Sequence, residues 1–363
     1  MKKTKVTIKD IAKAAGVSAA TVSMVLNGSN KFPEQTCRKV IDACNELGYV
    51  RGKLRQAESM EDKVLVVVVP TLSNLYFVKA VGAMQRRAKD LGYSLLVFET
   101  LRERTQEARI IHICTSFPFA GVIFYYPPEN SMHMAQLEAA KPVIHIYDKD
   151  VYDNENNLAI DGLRVGSVIG KHLLSLGHEK IVYLCLDFET KQVMRVRRLE
   201  GLRSVYRAAG YDPEKSVMVC TPQLLLPKSR TSPDGYELGY LLTKQLIERN
   251  VDFTAAVGLN DMIAIGAMDA IIDAGKKVPE DYSVCGCDNT SASHYRGISL
   301  TTVDSYPIQS GQEAIEFLVR KLEHTNFFDD MEENPEGTTQ IEYYPKLIIR
   351  KTSGPRKGKA GLK

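Results

Sequence analysis

The sequence predicts a small all-α head carrying a helix-turn-helix, followed by an α/β body of two lobes, each a doubly wound parallel sheet. Three observations predict it. Residues 1–59 hold two short helical patterns separated by a glycine turn, then a third. From residue 64 onward, short Val/Ile-rich runs alternate with amphipathic segments. Charge divides the chain at the same place. Residues 1–59 carry 11 Lys/Arg against 5 Asp/Glu, and residues 346–363 carry 7 against none. The middle holds the other 29 basic and 39 acidic residues, so +6, −10 and +7 make the total of +3. A basic head on an acidic body directs the head, not the body, toward a polyanion.

The chain has 363 residues, 44% hydrophobic and 25% charged. That is the composition of a soluble globular protein of two or three domains. The longest apolar run, Val64–Pro70, is far short of the ~20 residues a membrane span needs, so no membrane partner is expected. The start, Met-Lys-Lys-Thr-Lys, lacks the apolar stretch of a secretory signal. The seven cysteines are scattered, most of them inside apolar runs, as free thiols in a reducing compartment are. Cys285 and Cys287 are too close and too isolated for a zinc site. The expected location is the cytoplasm.

In the head, Thr7 can cap a helix and Asp10 can reach back to it, as in a capping box. Ile8, Ile11, Ala12 and Ala15 recur at helical spacing, and Gly16-Val17-Ser18 interrupts them. Ser18 can cap a second helix with Val22, Val25 and Leu26 on one face. Asn27-Gly28 ends it. A third helix runs from Glu34 to Leu47, with Val40, Ile41, Ala43, Cys44 and Leu47 inward and Gly48 as its left-handed stop. Two short helices across a glycine turn, closed by a third, form a helix-turn-helix. The second helix begins with small polar residues, which let it approach a major groove, and helix N-termini and hydroxyls bind phosphates.

These residues resemble a known family. Thr7-Ile8-Lys9-Asp10-Ile11-Ala12, Ala15-Gly16-Val17-Ser18-x-Ala20-Thr21-Val22-Ser23-x-Val25-Leu26-Asn27-Gly28 and Leu47-Gly48-Tyr49 resemble the head of the LacI/GalR transcriptional regulators. The resemblance implies that Ala19, Ala20 and Met24 read bases. It implies that Thr7, Ser18, Thr21, Ser23, Asn27 and Thr36 face phosphates or their neighbours. Most family members carry Arg where this chain has Met24. Arg can bond guanine O6 and N7 together, and Met offers apolar contact alone. The expected operator therefore has T·A or A·T where relatives prefer G·C.

The family's hinge helix, Asn-x-x-Ala-Arg-x-Leu, wedges its Leu into a minor-groove step. Here the segment reads Val50-Arg51-Gly52-Lys53-Leu54-Arg55-Gln56-Ala57-Glu58, and Glu58 stands in the Leu position. Either Leu54 wedges in a shifted register, or the hinge does not kink DNA. Arg51, Lys53 and Arg55 supply phosphate attraction in both cases, and a solvated basic linker is the plainer alternative.

In the body, strands are expected at Val64–Val69, Ser94–Phe98, Val122–Phe124, Val143–Ile146, Ile181–Cys185, Val217–Cys220, Ala255–Val257 and Val284–Gly286. Helices are expected over 76–91, 103–113, 164–176, 196–209, 235–249 and 261–274. Continuous rather than alternating apolar strands imply parallel sheets buried on both faces. A ligand would sit at strand C-terminal ends between the lobes. The resemblance continues here in Leu176-Gly177-His178, Arg198-x-x-Gly201, Asn260-Asp261-Met262 and Val278-Pro279-Glu280-Asp281-Tyr282. It implies a body like a periplasmic sugar-binding protein with three crossover strands. The expected domains are 1–50 (head), 51–63 (hinge), 64–350 (effector binding and dimerisation) and a disordered basic tail, 351–363. Lobe one takes 64–161 plus 290–323, and lobe two takes 162–289 plus 324–350.

Pocket residues implied by the resemblance are Ser73, Tyr76, Phe77, Tyr125, Arg198, Asn260, Asp261 and Asp288, with Asp148 one residue ambiguous against Tyr147. Arg can fork two oxygens, carboxylates and amides pair with hydroxyls, and aromatic rings stack on ligand faces. Plainer roles stay open: Asp261 as a helix cap, Arg198 in a surface ion pair, Tyr76 and Phe77 in the core. Nucleotide-loop, nucleophile-elbow and zinc-protease motifs are absent from the sequence, so no enzyme activity, cofactor or metal is expected. Residues 325–340 form an acidic connection with no assigned role. The expected protein is a repressor that binds double-stranded operator DNA as a homodimer. Its control would come from a sugar, sugar phosphate or nucleobase-like effector, or from a protein corepressor docked on lobe one. A sugar-binding module without a DNA role is the rival of another class.

Overall fold

The structure is a computed structural model. It describes residues 6–26, 32–47, 63–147, 157–186, 193–225, 235–323 and 340–357. The chain forms two compact units, Met1–Met60 and Glu61–Lys363.

The first unit holds α1 (Ile8–Ala15), α2 (Ala19–Leu26) and α3 (Glu34–Glu46). The Asp10 carboxylate accepts from the Thr7 backbone N–H at 2.8 Å and from its hydroxyl at 2.7 Å. Gly16 then turns at φ 65°, where a side chain would be strained. Ser18 Oγ accepts from Thr21 N–H at 3.0 Å and opens α2. Ile11, Ala12, Val22, Val40, Ala43 and Cys44 are the core. Ile41 and Leu47 depart from the expected inner face and are 51% and 38% exposed. Val40, Ala43 and Cys44 already fill the narrow stripe that α3 turns inward.

The second unit runs β1 (Val64–Val69), α4 (Leu75–Asp90), β2 (Ser94–Glu99), α5 (Arg104–Ser116), β3 (Gly121–Phe124), α6 (Ser131–Ala140), β4 (Val143–Tyr147) and β5 (Asn157–Ile160). It continues with α7 (Gly162–Ser175), β6 (Ile181–Leu184), α8 (Val193–Ala208), α9 (Pro213–Ser216), β7 (Val217–Cys220), α10 (Pro222–Leu225), α11 (Gly235–Glu248), β8 (Ala255–Gly258), α12 (Asp261–Asp273) and β9 (Ser283–Cys285). It ends with β10 (Thr302–Asp304), α13 (Pro307–Leu322), β11 (Gln340–Tyr343) and β12 (Lys346–Ile348).

Lobe one is a sheet in the order β11-β5-β4-β3-β1-β2, and lobe two a sheet in the order β7-β6-β8-β9. Every pairing in both is parallel. The central strands are buried on both faces, as their continuous apolar runs require. The chain passes between lobes after β5, between β10 and α13, and between β11 and β12. β10 and β12 pair antiparallel.

Two expected boundaries change. Residues 290–304 pack on lobe two: Ala292 and Leu300 share a core with α12, and Val303 joins the main core of that lobe. The segment Gln340–Tyr343 adds to lobe one, because β11 pairs with β5. The expected disorder from residue 351 is also corrected for Lys351–Lys357. Thr352 O accepts from Val284 N–H at 2.7 Å, Gly354 N–H donates to Ser283 Oγ at 3.0 Å, and Arg356 N–H donates to Leu176 O at 2.8 Å. A polar composition does not prevent a backbone from completing another strand's hydrogen bonds. The 325–339 part of the acidic connection and residues 358–363 lie outside the described residues.

Candidate functional site

Helices of a parallel sheet start where strands end, so their N-termini gather on one side of each lobe. Here that geometry builds a cavity of about 170 Å³ between the lobes. Lobe one brings Tyr76 and Phe77 from the first turn of α4, and Tyr125 from the end of β3. The three rings meet edge to face, with centroids 5.3 to 5.7 Å apart. Tyr125 Oη lies 2.9 Å from Ser310 Oγ and 3.3 Å from Tyr76 Oη. Burial raises both phenols, Tyr125 to about 12, so both hydroxyls stay neutral.

Lobe two brings Arg198 from α8, Asn260 from the cap of α12 and Asp288 from the loop after β9. Arg198 Nη1 donates to Leu259 O at 2.6 Å, and Nη2 lies 3.8 Å from Asp288 Oδ1. Its Nε is buried with no hydrogen-bond partner among the described residues. Burial alone would lower the guanidinium, and the neighbouring Cys287, Asp288, Tyr183 and Tyr76 together more than offset it. Burial raises the Asp288 carboxyl, with Arg198 opposing. Asp288 sits at φ 108°, a strained backbone for a residue with a side chain. Asn260 Oδ1 accepts from Ile263 N–H at 2.9 Å, so one amide both caps α12 and faces the cavity.

A helix crossing sets the position of Arg198. On α7, a Cβ at Gly166 would lie 1.9 Å from Arg198 O, and on α8 one at Gly201 would lie 2.0 Å from Leu163 O. The two helices touch backbone to backbone, which leaves the Arg198 main chain little freedom.

Of the expected pocket residues, Tyr76, Phe77, Tyr125, Arg198, Asn260 and Asp288 line this cavity. Asp261 does not. It is fully buried behind the wall, where Oδ2 accepts from Thr290 N–H at 2.7 Å and Thr290 Oγ1 at 2.9 Å, and Oδ1 from Thr302 Oγ1 at 2.5 Å. It is not the cap of its helix either, since Asn260 is. Ser73 is exposed outside the cavity, with its hydroxyl 2.9 Å from Thr71 Oγ1. Asp148 lies outside the described residues. Sequence reading missed Asn74, Arg102, Glu107, Tyr126 and Arg195, all of which line the cavity. Arg195 stands one helical turn before Arg198, and that spacing could have revealed it.

In the head, Ser18, Ala19, Ala20 and Met24 are exposed, Met24 at 43%. Thr21, Ser23 and Thr36 are half-buried, and Thr7 is exposed. Asn27 and the hinge residues Arg51, Lys53, Leu54 and Arg55 lie outside the described residues.

A helix-turn-helix unit on the same chain as a two-lobed body with a ligand-sized cleft is the build of a DNA-binding regulator that senses small molecules. Residues 7–52 match the lacI family of bacterial regulatory proteins, and residues 171–353 match the periplasmic binding protein-like domain. The chain belongs to the lacI family of bacterial transcriptional regulators. It is similar to the transcriptional regulator DegA of Bacillus subtilis, 28% identical over 97% of this chain and 99% of that one. It is also similar to the transcriptional repressor PurR of Mannheimia succiniciproducens, 29% identical over 95% and 98%. These relatives are regulators, not enzymes. Among solved structures, a LacI-family regulator from Silicibacter pomeroyi shares the fold with a TM-score of 0.71, at 24% identity over 96% of this chain and 99% of that one. The lac repressor dimer bound to operator and the anti-inducer ONPF has a TM-score of 0.65, at 24% identity over 97% and 100%. The CelR–cellobiose complex has a TM-score of 0.65, at 22% identity over 96% and 99%.

Proposed function

We propose that this chain is a cytoplasmic repressor that binds a pseudo-palindromic operator as a homodimer, and that a small ligand in the inter-lobe cleft controls it. The observation that carries the ligand reading is the cleft itself. An aromatic trio from lobe one faces Arg198, Asn260 and Asp288 from lobe two, and the buried Arg198 Nε has no partner among the described residues. A ligand bonded to both lobes prefers one closure state over the other, which is the condition for a ligand to shift an equilibrium. Repression and dimerisation are supported by the relatives: PurR is a repressor, and the lac repressor meets its operator as a dimer.

In the head, Ala19, Ala20 and Met24 are the base readers. Thr7, Ser18, Thr21, Ser23 and Thr36 are the phosphate contacts. A unit with one recognition helix reads a half-site, so two copies are needed for a whole operator.

Selection from random DNA with the full chain, at stated salt, tests this reading. Two inverted half-sites are the expected product. Enrichment of a single half-site overturns the dimer. The same chain carrying Arg198→Lys should keep operator binding without ligand and lose the ligand response.

A further inference from the structure

The turn that carries Asp288 into the cleft is tied to lobe one. Asp288 and Asn289 follow β9 and stand in positive-φ backbone, at 108° and 47°. Two such residues in succession are strained, and they persist only where neighbouring groups hold them. Asn289, 8% exposed, supplies that hold. Its Oδ1 accepts from Arg350 Nη2 at 2.7 Å, and its Nδ2 donates to Asp304 Oδ2 at 2.9 Å. Its carbonyl accepts from Lys79 Nζ at 3.0 Å. Lys79 belongs to α4 of lobe one, so this last bond crosses between the lobes.

The residue type fits the place. Asn tolerates left-handed backbone better than most residues with a side chain. Its amide has an accepting end and a donating end, and here the first meets a cation and the second a carboxylate. Aspartate would set a second carboxylate against Asp304.

These partners stand where the chain moves between lobes. Asp304 ends β10, and its Oδ1 accepts from Tyr306 N–H at 2.8 Å, just before α13 of lobe one begins. Arg350 follows β12, and its Nη1 donates to Leu300 O at 2.6 Å. Behind the turn, Thr290 donates twice to the buried Asp261 carboxylate. Asp288 N–H donates to Val303 O at 2.9 Å.

α4 meets the same segment a second time. Leu75 lies one helical turn before Lys79, on the same face. It packs against the lobe-two cluster that holds Ala292 and Leu300. The first turn of α4 also carries Tyr76 and Phe77 into the cavity. One helix therefore presents rings to the cavity from lobe one and grips the turn that presents Asp288 from lobe two. Burial raises the Asp288 carboxyl, and Arg198 and Lys79 both oppose it.

We propose that Asn289 is the positioning residue of the effector cleft, and that Lys79 engages it from lobe one, so that the Arg198–Asp288 pair takes its ligand-binding geometry only when the lobes have approached. This rests on the cleft being the effector site. Neither Asn289 nor Lys79 lines the cavity, and both act through Asp288. A ligand that engages Arg198 and Asp288 then favours the approached lobes, because only that state offers it the assembled pair.

Hydrogen exchange of the ligand-free full chain, read by mass spectrometry, and calorimetric titration with D-ribose, cellobiose and hypoxanthine test it. Lys79→Met keeps the apolar stem and loses the ammonium. It should speed exchange of the lobe-two peptide 286–304 about tenfold or more and leave β6 at the parent's rate. Lys79→Arg should restore the parent's exchange. Asn289→Gly accepts the left-handed backbone without the amide bonds, and it should behave as Lys79→Met does. Lys89→Met, exposed at the far end of α4, is the control and should change nothing. A probe that binds the parent should bind Lys79→Met and Asn289→Gly about tenfold more weakly, and Lys79→Arg within about twofold of the parent. The proposal is overturned if 286–304 exchanges in Lys79→Met as in the parent, if Lys79→Arg fails to restore it, or if a probe binds Lys79→Met as tightly as the parent. If none of the three probes binds, the exchange result alone decides the proposal. A probe whose affinity is unchanged in Arg198→Lys sits elsewhere and counts against the cleft reading, not against the brace.

Discussion

Replacing Gly166 by alanine tests how tightly the α7–α8 crossing positions Arg198. The added Cβ would lie 1.9 Å from Arg198 O. A carbon approaches a carbonyl oxygen to about 3.3 Å, so the helices must separate by roughly 1.4 Å. The obstacle is backbone, and no rotamer change relieves it. Overpacking of this kind costs about 1–3 kcal/mol, and alanine's better helix propensity offsets about 1 kcal/mol. The expected outcome is a net loss of up to about 2 kcal/mol. Ligand affinity should fall as well, because the group displaced is the main chain that carries the Arg198 guanidinium. Gly82→Ala in α4 is the control. The nearest atom to its new Cβ is the flexible Arg86 Nη1 at 3.7 Å, so it should gain stability. Urea denaturation followed by circular dichroism measures both variants. Gly166→Ala as stable as Gly82→Ala would refute the close-contact argument.

Met24→Arg should give a guanine preference at one position of each half-site, worth about 1–3 kcal/mol, where the parent chain is expected to prefer T·A or A·T; sequenced DNA selections of both chains check it. Asp261, fully buried, has a carboxyl raised by burial from 3.8 to about 6. The folded state therefore holds this proton more tightly than the unfolded state. Its contribution is complete below about pH 4 and is lost as pH rises through about 6, by at most about 3 kcal/mol. Asp261→Asn should flatten that fall, and equal slopes in urea titrations between pH 4 and 7 would contradict the assignment. Ending the chain at Arg350 removes the partner of the Val284 N–H and, at Nε2, one of the two partners of the His178 imidazole. Tm should drop by about 5 °C or more in a thermal melt.

Much of this architecture was legible in the residues. The capping pair Thr7 and Asp10, Gly16 and the Ser18 cap are local signals, and each sets backbone within a few residues of itself. Val64–Val69 reads as a buried parallel strand because a sheet covered on both faces needs no polar alternation. α13 was not expected although Pro307 at its start and Ala314, Ile315, Leu318 and Val319 on one face are such signals, whereas other elements that sequence reading did not find lack them. α6 carries Met, His and Ala with no apolar stripe. β5, β11 and β12 are three or four residues long and exist through their partners in the sheets.

The site divides in the same way. The family resemblance nominated Tyr76, Phe77, Tyr125, Arg198, Asn260 and Asp288, and all six line the cavity. Which neighbour faces the ligand was decided in three dimensions. Asn260 and Asp261 are adjacent and both polar, yet one lines the cavity and the other is enclosed by Thr290 and Thr302. Helix rotation set by packing made that choice. Arg102 and Arg195 are 93 positions apart, and only the folding of two lobes places both on one cavity. Local chemistry determined the helices, the strands and the DNA-reading head. The tertiary structure alone decided the polarity of the cleft, because electrostatic interaction depends on distance in space and not along the chain.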